Sequence, residues 1–538
     1  MDYSSKNLDH LGIVAGVCKE IELRASIDRI VGVDKRQKVT TGEAVEAMVL
    51  NALGFVSKPL YMFPDFMGTK PVELLIGGHL KAEDFNDDTL GRSLDRLYKT
   101  GTEEIFLQIA INAYGRYGYH GRFLHSDTTT ISVHGEYEHE EGDIDAVPVE
   151  ITYGHSKDNR PDLKQFVTSL IMSNELPLFI KTLSGNTSDN GHFREIARKY
   201  GRSFRESWDK DCIWIWDSAF YSKKNLETIS DDCKWITRVP ETLSEAKELL
   251  RISSLKDMKQ TSFDGYYLLS TEITYGVKQR WIVVFSDKAY ERESKTLRKN
   301  ISKEREKIDK QLWHFSNNDF YCKEDALAAL KELEDGWKYH TIKDIKIEEV
   351  RKKKDIKRGR PKNNEELQVM SNAKASFSEN DDKVKRALLG KGKFILATNE
   401  LEKLSDEEVL KQYKDQQSVE RGFRFLKDPL FFTHSIFLKN ESRIVALVMI
   451  MGLALLIYSI AQKKLREALL RENQMIPDQK EKPTKKPTMR RVFQIFEGIT
   501  VLYENGKRVM IMNINALHRK ILALFGTVYE RIYCVDAA

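Results

Sequence analysis

The sequence predicts an α/β protein: a mixed sheet with flanking helices, split by a large insertion and preceded by a helical segment. Three observations predict it. From about residue 120 a series of short β-rich runs begins, RFLHSD, TISV, VEITYG, VTSLIMSN and PLFIKTL, followed by a helical stretch and then CIWIWD and KWITRV. Adjacent strands that give way to alternating strand and helix describe a mixed α/β sheet. That texture stops near residue 241 and returns with KFILATN at 393–399. Residues 1–118, by contrast, carry only helical spacing.

In that first segment Leu11, Val14, Val17 and Ile21, then Ile27 and Ile30, recur at three- and four-residue steps. Thr40 and Glu43 form a capping-box pattern ahead of EAVEAMVLNAL. In DDTLGRSLDRLYKTG, Asp88 is the expected cap and Leu90, Leu94 and Leu97 share one face, with Arg92, Arg96 and Lys99 mostly on the other. A basic amphipathic helix of this kind either enters a DNA groove or simply presents a solvated face. The expected organisation is a helical domain at 1–118, core segments at 119–240 and 391–472, an insertion at 241–390, and a linker with a short C-terminal segment at 473–538. Within the insertion, YYLLSTEITYGVKQRWIVVF reads as a hairpin turning near Tyr275 and Gly276. Leu297, Ile301, Ile308, Leu312 and Phe315 then stripe a long charged helix. Two or three heptads suit a packed helical hairpin better than a free coiled coil.

With 538 residues, 41% hydrophobic and 31% charged, the chain can bury more than one core, and its composition excludes a disordered protein. A net charge of +5 is too small to argue for nucleic acid by bulk, so the placement of charge must decide. Cys18, Cys212, Cys233, Cys322 and Cys534 form no CxxC pair, which argues against structural zinc and a disulfide framework and suits a reducing cytoplasm. The start, MDYSSKNLDH, lacks the pattern of a secretory signal. The 18-residue run from Ile444 to Ala461 is apolar enough for a membrane helix. A helix buried on all sides inside a protein passes the same test, and burial with no membrane is the expectation.

Chemistry is carried by acids. Asp127 and Asp217 each follow an apolar run, where strand ends of an open sheet present ligands to a crevice. Each alone reads equally as a turn or cap residue. A third acid lies on the helix KDQQSVERGFRFLK. At about 100° per residue, Tyr413, Gln416, Glu420 and Lys427 fall within an arc of roughly 60°, flanked by Arg421 and Arg424.

The spacing Tyr413-x2-Gln416-x3-Glu420-x6-Lys427 resembles the Tyr-Arg-Glu-Lys signature of the insertion-sequence-four superfamily of transposases, with Gln416 in the arginine's place. The strings HSDTTT, YGHSKDNRPDLKQ, GNTSDN and WDSAFYS resemble its sixteen-thirty-four branch, in the same order. The resemblance implies an RNase H-like core in which Asp127, Asp217 and Glu420 are the catalytic DDE triad. A large insertion before the Glu helix accounts for the 203 residues between Asp217 and Glu420. Hard carboxylates imply two Mg²⁺ (or Mn²⁺) ions, which would activate water or a 3′-hydroxyl and stabilise the leaving oxygen. Transposon inverted repeats and target DNA become the expected partners, a homodimer the expected synaptic assembly, and the cytoplasm of a prokaryotic cell the expected location. Lys427 and Tyr413 match phosphate- and base-holding positions, where Gln416 lacks the charge and fork of arginine and Arg421 or Arg424 compensates.

Lesser signals complete the reading. Lys157, Arg160 and Lys164 surround a Pro-containing turn expected near the site, and either contact DNA or only shape the turn. The loop at 351–364 holds eight basic residues against Asp355; within it Arg358 and Arg360 match the core of a minor-groove hook. Asp189 is expected to cap a helix and the His134–Glu140 acidic loop to be solvated, both in preference to binding metal. Core packing is expected for Trp313 and Trp337, with base stacking the alternative. Three functions compete with transposition: an RNase H-fold nuclease without strand transfer, a catalytically inactive DNA-binding relative, and a single-pass membrane protein.

Overall fold

The computed structural model describes residues 2–55, 58–135, 137, 149–188, 191, 195–200, 208, 211–230, 233–353, 367–428, 438 and 440–534. Arg358, Arg360 and Asp189, and most of the His134–Glu140 loop, lie outside these residues. The chain divides into two compact units, Met1–Ile236 with Lys411–Ala538, and Thr237–Leu410.

The first unit is organised around the 31-residue helix Glu441–Arg471, whose residues from Ile444 to Ile457 are all buried. Strand Leu176–Leu183 and helices Leu11–Glu20, Thr41–Ala52, Asp87–Thr100, Thr102–Tyr117 and Ala516–Phe525 pack around it. Gly452 marks the tightest approach. A Cβ there would stand 2.9 Å from Phe106 Cε2 and 3.0 Å from Ile180 Cγ2, so only glycine lets the helix lie this close to strand and helix at once. Most of the apolar run is therefore protein core, with Tyr458 and Ser459 half-buried near its end.

Five strands of this unit run in the order Leu176–Leu183, Lys164–Ser173, Phe123–Val133, Ile213–Trp216 and Lys234–Arg238. The first three are antiparallel neighbours. Phe123–Val133 and Ile213–Trp216 are parallel. Apolar and β-branched residues with both faces covered make these runs strands. VEITYG contributes only a single bridge, Thr152 to Gln165.

The helices before residue 118 do not stand apart. Thr40 and Glu43 close the expected capping box, whereas Asn86, not Asp88, caps the basic helix through Thr89 N. That helix buries Leu90, Leu94 and Leu97, and its Asp95 takes a bidentate pair with Arg443 of the central helix at 2.8 Å. Strand Tyr3–Asn7 pairs with Thr500–Glu504, far along the chain. Glu20 joins three further segments: it pairs with Lys464 at 2.5 Å and accepts from Tyr117 and Tyr529. The segment after 473, read as linker and short tail, is folded structure that includes a hairpin and three helices.

In the second unit, strands Lys393–Thr398, Val277–Ser286, Tyr266–Tyr275 and Lys259–Gln260 follow one another, and the hairpin turns at Gly276 with φ +71°. Helix Asp287–Phe315 buries all five expected stripe residues. Its last turns pack with helix Lys323–Asp335 and the long hairpin His340–Lys353/Leu367–Glu379 around Trp337. Trp313 departs from the expectation of core packing and is 65% exposed. It follows Leu312 by one residue, a rotation of about 100° that carries it off the stripe.

His10 tests the packing of the first unit. It is fully buried, stacked on Phe493 at 4.2 Å, with Nε2 2.7 Å from the Leu53 carbonyl oxygen, and burial lowers its pKa to about 4. The unfolded chain, with an ordinary imidazole, takes up a proton below about pH 6.5 that the folded chain refuses. His10's contribution to stability is therefore full at neutral pH and is lost as pH falls toward 4, by roughly 2 kcal/mol at pH 5. Between pH 7 and pH 5, thermal unfolding should show wild type losing more stability than His10→Gln.

Candidate active site

Strand pairing places the two aspartates. Asp127 was expected where its strand ends, but the strand runs on through Thr128–Val133, because three β-branched threonines fit a buried pleated surface. What ends near Asp127 is the parallel pairing. Phe123 pairs with Ile213, Leu124 with Trp214 and His125 with Ile215. Continued two residues past His125 and Ile215, the same register would run from Asp127 to Asp217, which already lies beyond its strand. Asp217 directly follows its strand and caps the turn Ser218–Phe220, Oδ1 accepting from Ala219 N at 2.9 Å. Asp127 Oδ1 accepts from Thr128 N at 2.7 Å.

The third acid arrives on a helix laid over the same face. Cross-strand partners point to one side of a sheet, and the partner of Asp127 is Leu170. A Cβ on Gly422 would stand 2.8 Å from Leu170 Cδ2, so the Glu420 helix covers the face to which Asp127 belongs. The polar helix expected as one piece is two, Asp406–Asp415 and Gln417–Leu426, with Gln416 at the junction. The second buries Ser418, Val419, Gly422, Phe423 and Leu426 against the sheet. Glu420 itself is exposed, at one border of that buried face, with Lys427 close by in rotation. Tyr413 and Gln416 precede the break and are half-buried.

A loop connects the two sides. Lys157 Nζ lies 3.8 Å from Asp127 Oδ1 and donates to Thr128 O at 2.7 Å and Thr128 Oγ1 at 2.9 Å. The next residue, Asp158, accepts from Lys427 Nζ with both oxygens, at 2.8 and 2.7 Å. Lys427 and Asp127 are thus brought to one neighbourhood by consecutive residues. Asp158 was absent from the sequence reading. Its alternation with Lys157 in HSKDNRP was visible, but nothing local in the sequence names a partner 269 residues away.

The remaining candidates separate from this group. Arg160 is folded onto Asp162 at 2.7 Å, and Lys164 donates to the Tyr137 carbonyl at 3.2 Å. Arg421 borders the opposite side of the helix's buried face. There it pairs with Glu175 at 3.5 Å and lines a cleft of about 420 Å³ with His125 and Ser418. Arg424 and Arg92 are exposed and Arg96 is half-buried.

Two aspartates in one strand register, a glutamate on the helix over the same face and two lysines suit a reaction on a polyanion only if further positive charge is supplied. Among the described residues no three His, Cys, Asp or Glu side chains converge to cage a metal ion by themselves. The donor types fit a hard divalent cation, and the Lys157 ammonium already stands beside Asp127 as a cation. The protein thus offers here the donor and charge types that phosphate chemistry uses.

Its family follows from comparison. Residues 127–457, beginning at Asp127 and including Asp217 and Glu420, match the family described as Transposase DDE domain. That is more than half of the chain, and the protein belongs to this family: it is a DDE transposase, an enzyme of DNA transposition, whose class generally uses divalent metal ions. Residues 3–111 match a domain of unknown function, DUF4277. Among solved structures, a piggyBac transposase synaptic complex with hairpin DNA, determined by cryo-EM, is similar at TM-score 0.32 and 10% identity, over 92% of this chain and 82% of that one. No curated protein matches.

Gly422→Val tests how the Glu420 helix is seated. With Leu170 fully buried, overpacking should cost about 1–3 kcal/mol of stability. DNA cleavage measured below the melting temperature should fall further than the folded fraction, because the helix is pushed off the sheet that carries Asp127.

Proposed function

We propose that Asp127, Asp217 and Glu420 are the catalytic triad of an RNase H-like core, and that the enzyme cleaves the ends of an insertion sequence and joins them to target DNA. The observation that carries this is the parallel register of Phe123–His125 with Ile213–Ile215, which, continued by two residues, would put Asp127 beside Asp217. Three antiparallel strands with a parallel fourth beside the first of them are the arrangement such a core requires. The spacing of Tyr413, Gln416, Glu420 and Lys427 favours the insertion-sequence-four superfamily, sixteen-thirty-four branch.

The three carboxylates would hold two Mg²⁺ or Mn²⁺ ions, which when bound supply Lewis acidity and an activated oxygen nucleophile. The chain's own groups bind and orient. Lys427 offers a point charge to a phosphate on the border of the helix that carries Glu420. Tyr413 and Gln416, at the helix break, contribute a ring and an amide but no second fork. Arg421, on the opposite side of the buried face, does not substitute there for the arginine that Gln416 replaces; Arg424 remains the candidate for that role. Hydrolysis at the donor strand and attack by a 3′-hydroxyl both displace an oxygen from a phosphodiester, so one site serves both. A homodimer in the synaptic complex and a cytoplasmic, nucleoid-associated location complete the proposal.

A nuclease without strand transfer uses the same acids, so the decisive assay follows both products. Asp127→Asn, Asp217→Asn and Glu420→Gln should each reduce cleavage and joining of a pre-cut 3′-hydroxyl end to background, as should EDTA, while DNA binding persists. Joining that survives in any single variant removes that residue from the triad. Cleavage without joining by the wild type favours the nuclease.

A further inference from the structure

The contact between Asp158 and Lys427 has the form of a ligand complex within the chain. A carboxylate presents two oxygens to one ammonium at 2.8 and 2.7 Å, as a phosphate would. The pair joins a loop to a helix border across 269 residues, so local chain geometry does not force it. Both partners keep access to water, with Lys427 27% and Asp158 42% exposed. An incoming anion can therefore reach the ammonium and displace the carboxylate. The loop is anchored one residue earlier. Lys157 N donates to Thr130 Oγ1 at 3.0 Å and its ammonium to Thr128, which holds Asp158 in place without help from Lys427.

We propose that Asp158 is an internal competitor for the DNA phosphate at Lys427, an autoinhibitory carboxylate that the DNA backbone must displace to enter the site. The proposal rests on the reading of Lys427 as a phosphate contact. Displacement costs the chain one partly exposed ion pair and leaves Asp158 as a like charge beside the phosphate, so neutralising Asp158 removes both penalties. Lys157 keeps its own hydrogen bonds in the exchange.

The test is binding of a short fluorescent random-sequence duplex in EDTA, read by anisotropy, with wild type, Asp158→Asn, Lys427→Gln and the double variant. Asp158→Asn should bind about two- to fivefold tighter, the scale of one exposed ion pair. Lys427→Gln should bind more weakly, and adding Asp158→Asn to it should change nothing. If Lys427→Gln weakens binding but Asp158→Asn does not tighten it, Asp158 is no competitor and the proposal fails alone. A gain that persists in the Lys427→Gln background is a general charge effect and also overturns it. If Lys427→Gln leaves affinity unchanged, the phosphate-contact reading fails and takes the proposal with it. Thermal unfolding of each variant guards against misfolding, with Asp158→Ser as the second neutral replacement.

Discussion

Hydrogen-bond register between two parallel strands is the constraint on which the site depends. Phe123, Leu124 and His125 pair with Ile213, Trp214 and Ile215, and the proposed approach of the two aspartates requires this ladder to be kept to the residue. A slip of one position would send every side chain of a strand to the opposite face. Burial enforces the register. Trp214 and Trp216 are fully buried and stacked at 5.3 Å, and Leu124 is buried beside them. The Glu420 helix is referred to the same ladder, since Gly422 rests on the cross-strand partner of Asp127. The central helix packs on the same face through Gly452 and Ile180, the cross-strand partner of Leu170. Chemistry at one edge is therefore fixed by apolar packing several residues away.

Local charge matters more here than the total. A net +5 over 538 residues gives no field to speak of, yet around Asp127 two lysines and two acids alternate within one loop and one helix border. The chain balances these charges internally while no DNA is bound. Arg160 and Arg421 are likewise neutralised, by Asp162 and Glu175. On the proposed reading, DNA recognition at Lys427 exchanges the Asp158 carboxylate for a phosphate.

Much of this was legible in the sequence, and each failure has a physical cause. The β runs, the capping box at Thr40, the hairpin at Gly276 and the stripe from Leu297 to Phe315 rest on local periodicity and turn chemistry. The acids were legible as residues following apolar runs. The continuation of the strand past Asp127 was missed because three threonines read as a polar turn; in place, their methyls and hydroxyls fill a buried surface. The break at Gln416 leaves no mark in a helical period that continues on either side of it. Three features depend on contacts hundreds of residues apart: the pairing of Tyr3–Asn7 with Thr500–Glu504, the Glu20 cluster, and the grip of Asp158 on Lys427. No window of sequence holds both partners.

The central claim is that three acids distant in the chain share one metal site. Iron(II) substituted for the native ion, with peroxide and ascorbate, generates hydroxyl radicals that cut the backbone next to wherever the ion is held. Cuts near residues 127, 217 and 420 together, suppressed by excess Mg²⁺, are the predicted result. Cuts confined to other segments, or to the aspartate strands with the Glu420 helix untouched, would contradict it.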